Sequence, residues 1–306
     1  MSVLVAISGR DCSKIITALA TKLPGVKISQ WPDCDNLEDV EFVLAWLAPA
    51  DMWAQLPNLK VVSSFGAGVD SIDLNLLPDN VIVTRIVDEN LAHDMAEYVL
   101  THILAHKLRL KDYVIKQQQR QWLPKRAYSH NHVVILGFGE LGQSCAKRLL
   151  ANNFTVSAFS QSPKNIPEVN CIHQVSELPS LLAQADYLVC LLPLTTQTKG
   201  FINRNLLMQL PSHAVLINVA RGQHVVADDL LWALDNQIIR GATLDVFAQE
   251  PLAAENPFWH HSAVTMTPHC AALSDLETVT QQIANNVQRM KTGLKLNNQV
   301  DRTKGY

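Results

Sequence analysis

The stretch Val133-Val-Ile-Leu-Gly-Phe-Gly-Glu-Leu-Gly142 decides how the second half of this chain folds. Four apolar residues lead into a G-x-G-x-x-G pattern and a helix-like segment follows, which predicts a strand, a tight turn and a helix. Gly137 permits the turn, Gly139 lets the backbone approach a pyrophosphate, and Gly142 allows close packing of helix on strand. The anion would lie at the helix N-terminus. The pattern predicts a dinucleotide site, with a glycine turn that binds nothing as the alternative.

The length and composition of the chain describe a folded protein of two domains. Its 306 residues exceed one ordinary domain, and 48% of them are hydrophobic whereas 17% are charged. This balance excludes an intrinsically disordered chain. The formal net charge of −3 gives no broad basic surface, which argues against nucleic acid or an anionic membrane as a partner.

The N-terminal residues and the cysteines predict a cytoplasmic location. Met1-Ser-Val-Leu-Val-Ala-Ile-Ser8 lacks the basic region of a signal peptide and has the pattern of a first strand. Apolar runs stay shorter than the roughly 18 residues that a membrane helix needs. The six cysteines form no C-x-x-C pair and lie mostly in apolar segments, which favours reduced structural thiols.

Short β-branched runs alternate with helical or turn segments from the first residue onward. This alternation predicts βαβ units and a parallel sheet. An amphipathic segment from about residue 91 to 121 predicts one long helix that links two domains. The strands expected before that helix are 3–8, 26–31, 42–47, 61–65 and 81–86.

A second set of strands begins at Val133, and their number suits a doubly wound nucleotide domain. They are expected at 133–138, 155–160, 187–192, 214–220, 241–247 and 264–267, followed by a last helix at 274–294. Because some thirty residues remain when that helix begins, we expect it to return to the first domain. The predicted fold is therefore α/β with two doubly wound parallel-sheet domains. A Rossmann-type dinucleotide-binding domain, 96–274, is inserted into a flavodoxin-like substrate-binding domain made of 1–95 and 275–306.

The end of the strand after the glycine turn bears on the choice of dinucleotide. An NAD site commonly has an acidic residue about 20 residues past the glycines, which binds the ribose 2′-hydroxyl. This chain has Ser160-Gln161-Ser162-Pro-Lys164 at that point, with no acid. Small hydroxyls and an ammonium suit a 2′-phosphate. The segment predicts NADPH with NADH possible, and the alternative is that Lys164 is only a solvated surface residue.

Three polar residues that follow later strands form a candidate catalytic set. Parallel strands direct their carboxyl ends to one edge of the sheet, so Arg221, Glu250 and His269 should gather there. Arg221 can hold a substrate carboxylate by paired hydrogen bonds, and His269 can give a proton to a carbonyl oxygen as hydride arrives. Glu250 would orient the imidazole and favour its protonated form. Each residue alone is more often a surface or structural side chain, so the prediction rests on their shared placement.

The first domain offers a candidate site for the substrate carboxylate. Gly66, Ala67 and Gly68 follow a predicted strand, and their N–H groups, with that of Val69, could form an anion-binding nest. Trp46, at another strand end, could form one wall of a small pocket. A simple turn and core packing are the respective alternatives.

These motifs together closely resemble the D-isomer-specific 2-hydroxyacid dehydrogenase family. The resemblance spans nearly the whole chain, and its C-terminal part includes 299–302 with Gly305 and Tyr306. Trp46, the 65–70 loop and this C-terminus are similar to the branch of the family that reduces glyoxylate and hydroxypyruvate. The motifs are Gly137–Gly142, Leu192-Pro-Leu-Thr195, Asn218-Val-Ala-Arg-Gly222, Leu244-Asp-Val-Phe247 with Glu250-Pro251, and Thr267-Pro-His269.

The resemblance implies an activity, a coenzyme and a set of site residues. It implies NADPH-dependent reduction of glyoxylate to glycolate and of hydroxypyruvate to D-glycerate, in a cleft between two domains of a homodimer. It implies that Arg221 binds substrate, that Glu250 supports His269 as the acid/base, and that the N–H groups of 66–69 face the carboxylate. The coenzyme contacts that it implies involve Glu140, Leu141, Pro193, Thr198, Ala220 and Asp245.

Three questions stay open in the sequence. Relatives that bind a 2′-phosphate often carry Arg near the end of the second strand, where this chain has Gln161 and Pro163. A related dehydrogenase of another 2-oxoacid, such as phosphohydroxypyruvate, fits the same residues, and so does a nucleotide-sensing binding protein. His102 and His106 could share a metal on the long helix, but no third ligand is indicated and structural roles are favoured.

Overall fold

The computed structural model describes residues 1–302 and divides into two compact units. One unit comprises residues 1–90 with the described residues from 274 onward, and the other comprises 91–273. Gly305 and Tyr306, which contribute to the family resemblance, lie outside the described residues. Within the described part of the chain, the helices are all too short or too polar to cross a membrane.

The first unit contains a five-stranded parallel sheet in the order β2-β1-β3-β4-β5. This is the flavodoxin-like order of a doubly wound sheet. Both faces of the sheet are covered, so the side chains of its strands are mostly buried, with the polar edge strand β2 as the exception. The strands are β1 Ser2–Ile7, β2 Lys27–Gln30, β3 Val40–Trp46, β4 Val61–Ser64 and β5 Ile82–Thr84.

Two helices from opposite ends of the chain pack together on this sheet. They are α1, Ser13–Lys22, and α8, Leu276–Lys291. Ile15 and Leu19 of α1 share one buried cluster with Ile283 of α8. The C-terminal helix therefore completes the core of the first unit.

The second unit contains a seven-stranded parallel sheet in the order β12-β11-β10-β9-β6-β7-β8. The order reverses at β6, which places the end of this strand at the switch point where doubly wound sheets bind nucleotides. The strands are β6 His132–Leu136, β7 Thr155–Phe159, β8 Val169–Ile172, β9 Tyr187–Cys190, β10 Val215–Asn218, β11 Gly241–Leu244 and β12 Val264–Met266. The prediction of parallel sheets in both domains is confirmed.

Strand β8 is absent from the sequence prediction. It is a four-residue edge strand, Val-Asn-Cys-Ile, that pairs only with β7. Its residues are half-buried or exposed, so the apolar run that marks a buried parallel strand is missing.

The prediction of a single long helix between about residues 91 and 121 is wrong. The structure has α2, Glu89–Lys107, and a separate α3, Leu110–Gln118. Arg109 between them adopts the left-handed conformation, with φ of 61°. Its guanidinium lies 3.6 Å from the ring centre of Tyr128 and donates to the Tyr128 hydroxyl at 2.6 Å. This contact, distant in sequence, stabilises a break that the helical pattern does not reveal.

The remaining helices of the second unit connect its strands. They are α4 Glu140–Leu150, α5 Leu178–Leu182, α6 Arg204–Leu207 and α7 Ala227–Asp235. Among them, α4 directly follows the glycine turn and packs against β6 and β7.

His106 on α2 makes folding of the protein sensitive to acid. Its Nε2 lies 2.9 Å from the Thr243 hydroxyl, and burial, with the positive charge of Arg240, lowers the pKa of His106 to about 3. The unfolded chain therefore binds a proton that the folded chain does not between roughly pH 6.5 and 3. Stability from this group is complete above pH 6.5 and is lost as the pH falls through that range.

We expect the free energy of unfolding to fall by up to about 2 kcal/mol between pH 7 and pH 5 because of His106 alone. Urea unfolding at the two pH values measures this difference. In the His106→Gln protein the difference should shrink by that amount, whereas His260→Gln, at an exposed position, should retain it. Equal pH dependence in wild type and His106→Gln would contradict the assignment.

Candidate active site

The glycine turn after β6 has the geometry of a dinucleotide-binding loop. Gly137 has φ of +97°, and a Cβ atom there would lie 2.4 Å from the Leu191 carbonyl oxygen. A Cβ atom at Gly142 would lie 2.3 Å from the Gly137 carbonyl oxygen, so the helix and the turn touch at this point. Around Gly139 no heavy atom lies within 4 Å of the Cβ position, which leaves room for a ligand beside the backbone.

Helix α4 begins immediately beyond this space. Gly139 is its N-cap, and Glu140 and Leu141 are its first two residues. The first N–H groups of a helix lack partners within the helix and, together with the dipole, favour an anion. The turn therefore fits the pyrophosphate of a dinucleotide.

The segment after β7 presents polar groups without a carboxylate. Ser160 is buried, and its hydroxyl donates to the Ser162 carbonyl oxygen at 2.5 Å. Gln161, Ser162 and Lys164 are exposed. The Gln161 amide and the Lys164 ammonium thus lie after the strand whose end binds the adenosine ribose in Rossmann folds.

Two further predicted coenzyme contacts lie in the turn after β9, the strand next to β6. The Thr198 hydroxyl donates to the Pro193 carbonyl oxygen at 2.6 Å, and the Thr195 N–H donates to the Thr198 hydroxyl at 2.9 Å. The turn is therefore closed by its own hydrogen bonds. Ala220, after β10, is buried, and its N–H donates to the side-chain oxygen of Asn218 at 3.2 Å.

Arg221 follows β10 and is held by two buried neighbours that the sequence reasoning missed. The Asn218 amide donates to the Arg221 carbonyl oxygen at 2.9 Å. The His224 Nδ1 lies 3.2 Å from the Arg221 N–H, and its Nε2 lies 3.3 Å from the Pro193 carbonyl oxygen. Both distances are satisfied when His224 carries its proton on Nε2. The Arg221 guanidinium also donates to the Ala220 carbonyl oxygen at 2.6 Å.

Gly222 brings the Arg221 segment into direct backbone contact with the loop that carries Glu250. A Cβ atom at Gly222 would lie 1.9 Å from the Phe247 carbonyl carbon and 2.2 Å from the Ala248 nitrogen. Only glycine permits this approach. The ends of β10 and β11 are thus fixed relative to each other.

Glu250 and His269 form a hydrogen-bonded pair. Oε2 of Glu250 lies 2.7 Å from Nδ1 of His269, and Oε1 accepts the Phe247 N–H at 2.8 Å. The side chains are 34% and 38% exposed, so the pair is open to a small ligand. Because Nδ1 is engaged by the carboxylate, Nε2 is the nitrogen that can exchange a proton with a substrate.

The charge state of Glu250 suits this pairing. Desolvation on its own would raise the pKa of the carboxyl group, but the hydrogen bonds from His269 and from the Phe247 N–H outweigh it, and the positive charge of Arg221 adds to them. The pKa of Glu250 therefore lies below its ordinary value. The carboxylate therefore remains ionised at neutral pH and can accept a hydrogen bond from Nδ1 of His269.

The backbone at His269 is held in an unusual conformation. Its φ is +53°, in the left-handed region that non-glycine residues rarely adopt. Its N–H donates to the Asp245 carbonyl oxygen at 2.7 Å. Asp245 itself is buried, and its carboxylate accepts the N–H groups of Cys270 and Ala271, each at 2.9 Å. Asp245, predicted as a coenzyme contact, thus anchors the loop that presents the imidazole.

The predicted substrate loop lies in the first unit and differs from the prediction at Gly66. The Gly66 N–H donates to the Ser64 hydroxyl at 3.2 Å, and that hydroxyl donates to the Gly68 carbonyl oxygen at 2.6 Å. The Gly66 N–H, which was expected to face the substrate, therefore bonds within the loop. A buried serine at the end of β4 accounts for this, because its hydroxyl reaches both ends of the loop.

The other residues of this predicted site lie around the same loop. Ala67 is half-buried, whereas Val69 is 3% exposed and its side chain belongs to the core. Trp46 is the last residue of β3 and is half-buried, and its ring lies 2.8 Å from the Cβ position of Gly66. The tryptophan thus packs on the glycine that opens the loop.

The histidines that could have shared a metal on α2 have separate partners. The His102 ring lies 4.2 Å from the Tyr98 ring, and His106 bonds to Thr243. Burial lowers the pKa of His102, which keeps it neutral. Both side chains serve packing in the second unit.

Among residues 1–302, His130, Asp186 and His213 have ligand atoms within 4.8 Å of one another. The two imidazole rings are stacked, with centres 3.9 Å apart and planes 14° apart. Their nitrogen lone pairs therefore lie in two separate, nearly parallel planes, which does not suit convergence on one ion. Asp186 also accepts the N–H groups of Asn131 and His132. The cluster anchors the start of β6, and we assign no metal to it.

Comparison with known proteins places these residues in a wider context. The family model of the D-isomer specific 2-hydroxyacid dehydrogenases, NAD binding domain, matches residues 100–271. The chain is 38% identical over 304 residues to glyoxylate/hydroxypyruvate reductase A of Yersinia enterocolitica, covering 97% of each chain.

Solved structures of related proteins align with this chain over its full length. A D-isomer specific 2-hydroxyacid dehydrogenase from Xanthobacter autotrophicus Py2, in complex with NADPH and MES, has 35% identity and a TM-score of 0.93. The alignment covers 100% of this chain and 99% of that one. An NADPH-dependent glyoxylate/hydroxypyruvate reductase from Sinorhizobium meliloti, in complex with NADP and sulfate, has 34% identity and a TM-score of 0.92, with 100% of both chains covered.

Proposed function

This chain belongs to the D-isomer-specific 2-hydroxyacid dehydrogenase family, and we propose that it uses NADPH to reduce glyoxylate to glycolate and hydroxypyruvate to D-glycerate. The observation that carries the proposal is the Glu250–His269 pair, 2.7 Å apart and open to solvent, at the edge of a nucleotide-binding sheet. Relatives that are named for this activity or contain NADP support it.

The coenzyme proposal rests on the fit of the residues around the glycine turn. The open space beside Gly139 and the N-terminus of α4 suit the pyrophosphate. Gln161, Ser162 and Lys164 offer donors and no carboxylate to a 2′-phosphate, which favours NADPH while leaving NADH possible. When bound, the reduced nicotinamide supplies a hydride to the carbonyl carbon.

The residues of the chain supply binding and the proton. Arg221 would hold the substrate carboxylate and polarise the neighbouring carbonyl. His269 would donate a proton from Nε2 to the carbonyl oxygen as the alkoxide develops, and Glu250 would stabilise the imidazolium before the transfer. Reduction therefore needs protonated His269 and should slow as the pH rises, whereas oxidation of the hydroxy acid needs the neutral ring and should favour higher pH.

A coenzyme-consumption panel tests this proposal. NADPH and NADH are each offered with glyoxylate, hydroxypyruvate, pyruvate and phosphohydroxypyruvate, and absorbance at the nicotinamide band is followed. Faster turnover with NADPH and the two small acids supports the proposal, whereas preference for pyruvate or phosphohydroxypyruvate identifies a related dehydrogenase. Binding of NADPH without turnover of any acid would indicate a nucleotide sensor on the same fold and would refute the proposal.

Substitution of Arg221 by alanine should mainly weaken substrate binding. A hydrogen bond to a charged group is worth about 1.5–3 kcal/mol, so kcat/KM for glyoxylate should fall by roughly 10- to 150-fold. Steady-state kinetics with saturating NADPH measures the change. Arg204→Ala, at a half-exposed side chain on α6 paired with Asp229, serves as the control. An unchanged kcat/KM in Arg221→Ala would place the carboxylate clamp elsewhere.

We propose that the protein forms a homodimer, as the family resemblance implies. Large apolar side chains are exposed along α3 and the segments that flank it, with Trp122 96% exposed. Clusters of exposed apolar side chains commonly mark an interface. Those in this segment are Leu108, Leu110, Val114, Ile115, Trp122 and Leu123.

The double substitution Trp122→Ser with Leu123→Ser should shift the protein from dimer to monomer. Light scattering during size-exclusion chromatography measures the mass of the species in solution. Val175→Ser removes an exposed apolar side chain outside this segment and should leave the mass unchanged. A wild-type protein of 34.0 kDa in solution would contradict the proposal.

We also propose a cytoplasmic location. All six cysteines are free thiols, which suits a reducing compartment. Localisation of a tagged chain by fractionation tests this directly.

A further inference from the structure

A single aspartate holds the loop that presents His269. Residues on both sides of the histidine in the loop 267–271 donate hydrogen bonds to the Asp245 carboxylate. The Thr267 hydroxyl donates to Oδ1 at 2.6 Å. The Cys270 N–H donates to Oδ1 and the Ala271 N–H donates to Oδ2. The His269 N–H donates to the Asp245 carbonyl oxygen. The left-handed conformation of His269 is therefore maintained by bonds that converge on one buried residue.

Tyr98 of α2 extends this set of bonds. Its hydroxyl forms a short hydrogen bond with the Thr267 hydroxyl, across 169 residues of sequence. Because a carboxylate only accepts hydrogen bonds, the Thr267 hydroxyl donates its one hydrogen to Asp245. The Tyr98 hydroxyl must then be the donor to Thr267. Burial raises the pKa of Tyr98, so the phenol keeps this proton under assay conditions.

We propose that Tyr98 is a positioning residue that acts on His269 through Thr267 and Asp245. The hydroxyl of Tyr98 polarises that of Thr267, and this strengthens the bond from Thr267 to the carboxylate that holds the loop. The loop in turn keeps the imidazole within 2.7 Å of Glu250. This inference rests on the proposed function, because the position of His269 matters only if it transfers a proton.

The hydrogen bonds that link Tyr98, Thr267 and Asp245 give each hydroxyl a different role. Loss of the Tyr98 hydroxyl removes one donor and leaves the bond between Thr267 and Asp245 in place. Loss of the Thr267 hydroxyl removes that bond and also leaves the Tyr98 hydroxyl without its acceptor. A serine at 267 keeps the hydroxyl and removes only a methyl group. The effects should therefore follow the order Thr267→Val, then Tyr98→Phe, then Thr267→Ser.

The test compares these three variants with wild type and with Tyr113→Phe. Tyr113 is the matched control, because its hydroxyl bonds to the backbone of Lys125 and not to the loop that carries His269. For Tyr98→Phe we expect kcat to fall by about 2- to 13-fold, on the scale of one hydrogen bond. KM for glyoxylate and Kd for NADPH should stay within about twofold, because Arg221 and the glycine turn are bonded elsewhere. Thr267→Val should lose more, and Thr267→Ser should retain near wild-type kcat.

A second measurement does not depend on turnover. Amide hydrogen exchange at Cys270 and Ala271 should become at least about fivefold faster in Tyr98→Phe than in wild type, since these N–H groups bond to Asp245. Tyr113→Phe should match wild type. If wild type turns over no 2-oxoacid, the proposed function fails while hydrogen exchange still tests the network. Unchanged exchange, a kcat of Tyr98→Phe within twofold of wild type, or failure of serine to rescue position 267 would each overturn the inference.

Discussion

Replacement of His269 by alanine should lower the turnover number for glyoxylate by about 10²- to 10⁴-fold, the range that a positioned general acid contributes. The Glu250 carboxylate would remain, but no group would hold the proton that the developing alkoxide needs. Rapid-mixing measurement of NADPH oxidation at saturating glyoxylate gives the rate of the chemical step. Because the imidazole does not form the glycine turn, NADPH affinity should change little.

His260→Ala is the matched control, since this histidine is exposed on the same unit. It should retain the wild-type rate. Near-normal turnover in the His269→Ala protein would remove this side chain from the mechanism. A parallel loss of NADPH affinity would instead show that the substitution had disturbed the coenzyme site.

Replacement of Gly222 by alanine should destabilise the second unit by about 3 kcal/mol or more, at or above the upper end of the usual cost of overpacking. A methyl group there would fall within 2.3 Å of three backbone atoms of Phe247 and Ala248. Backbone atoms cannot move aside as the end of a flexible side chain can. The strand ends that carry Arg221 and Glu250 would have to separate, so activity should be lost along with stability.

The Gly139→Ala variant separates a loss of activity from a loss of stability. Apart from Gly139 itself and its two chain neighbours, no heavy atom lies within 4 Å of its Cβ position, and its φ of −80° suits alanine. Urea unfolding should therefore give a stability within about 1 kcal/mol of wild type, whereas NADPH affinity should fall because the methyl group occupies the space predicted for the pyrophosphate. Wild-type stability in Gly222→Ala would contradict the close contact seen at β10.

Much of the fold follows from local patterns in the sequence. Most of the strands consist of buried, largely apolar residues, and their alternation with helices predicts two parallel sheets because both faces must be buried. The edge strand β8 and the break at Arg109 could not be predicted. The first lacks buried residues, and the second depends on a stacking contact with Tyr128.

The candidate site was predictable where strand ends carry the chemistry. Arg221, Glu250 and His269 each follow a strand of the same sheet, so topology alone indicates that they are neighbours. The residues that hold them were not predictable. His224 and Tyr98 act through backbone or hydroxyl contacts, the second with a residue 169 positions away. Their partners cannot be recognised without coordinates.

The joining of α1 to α8 bears on how the chain is made. Ile15 and Leu19 are covered by residues of a helix that begins at Leu276. During synthesis, the apolar face of α1 stays exposed until the last thirty residues of the chain have left the ribosome. The inserted unit is continuous from 91 to 273 and can complete its own core earlier. A chain truncated after residue 273 should therefore contain a folded second unit beside an unfinished, chaperone-accessible N-terminal segment.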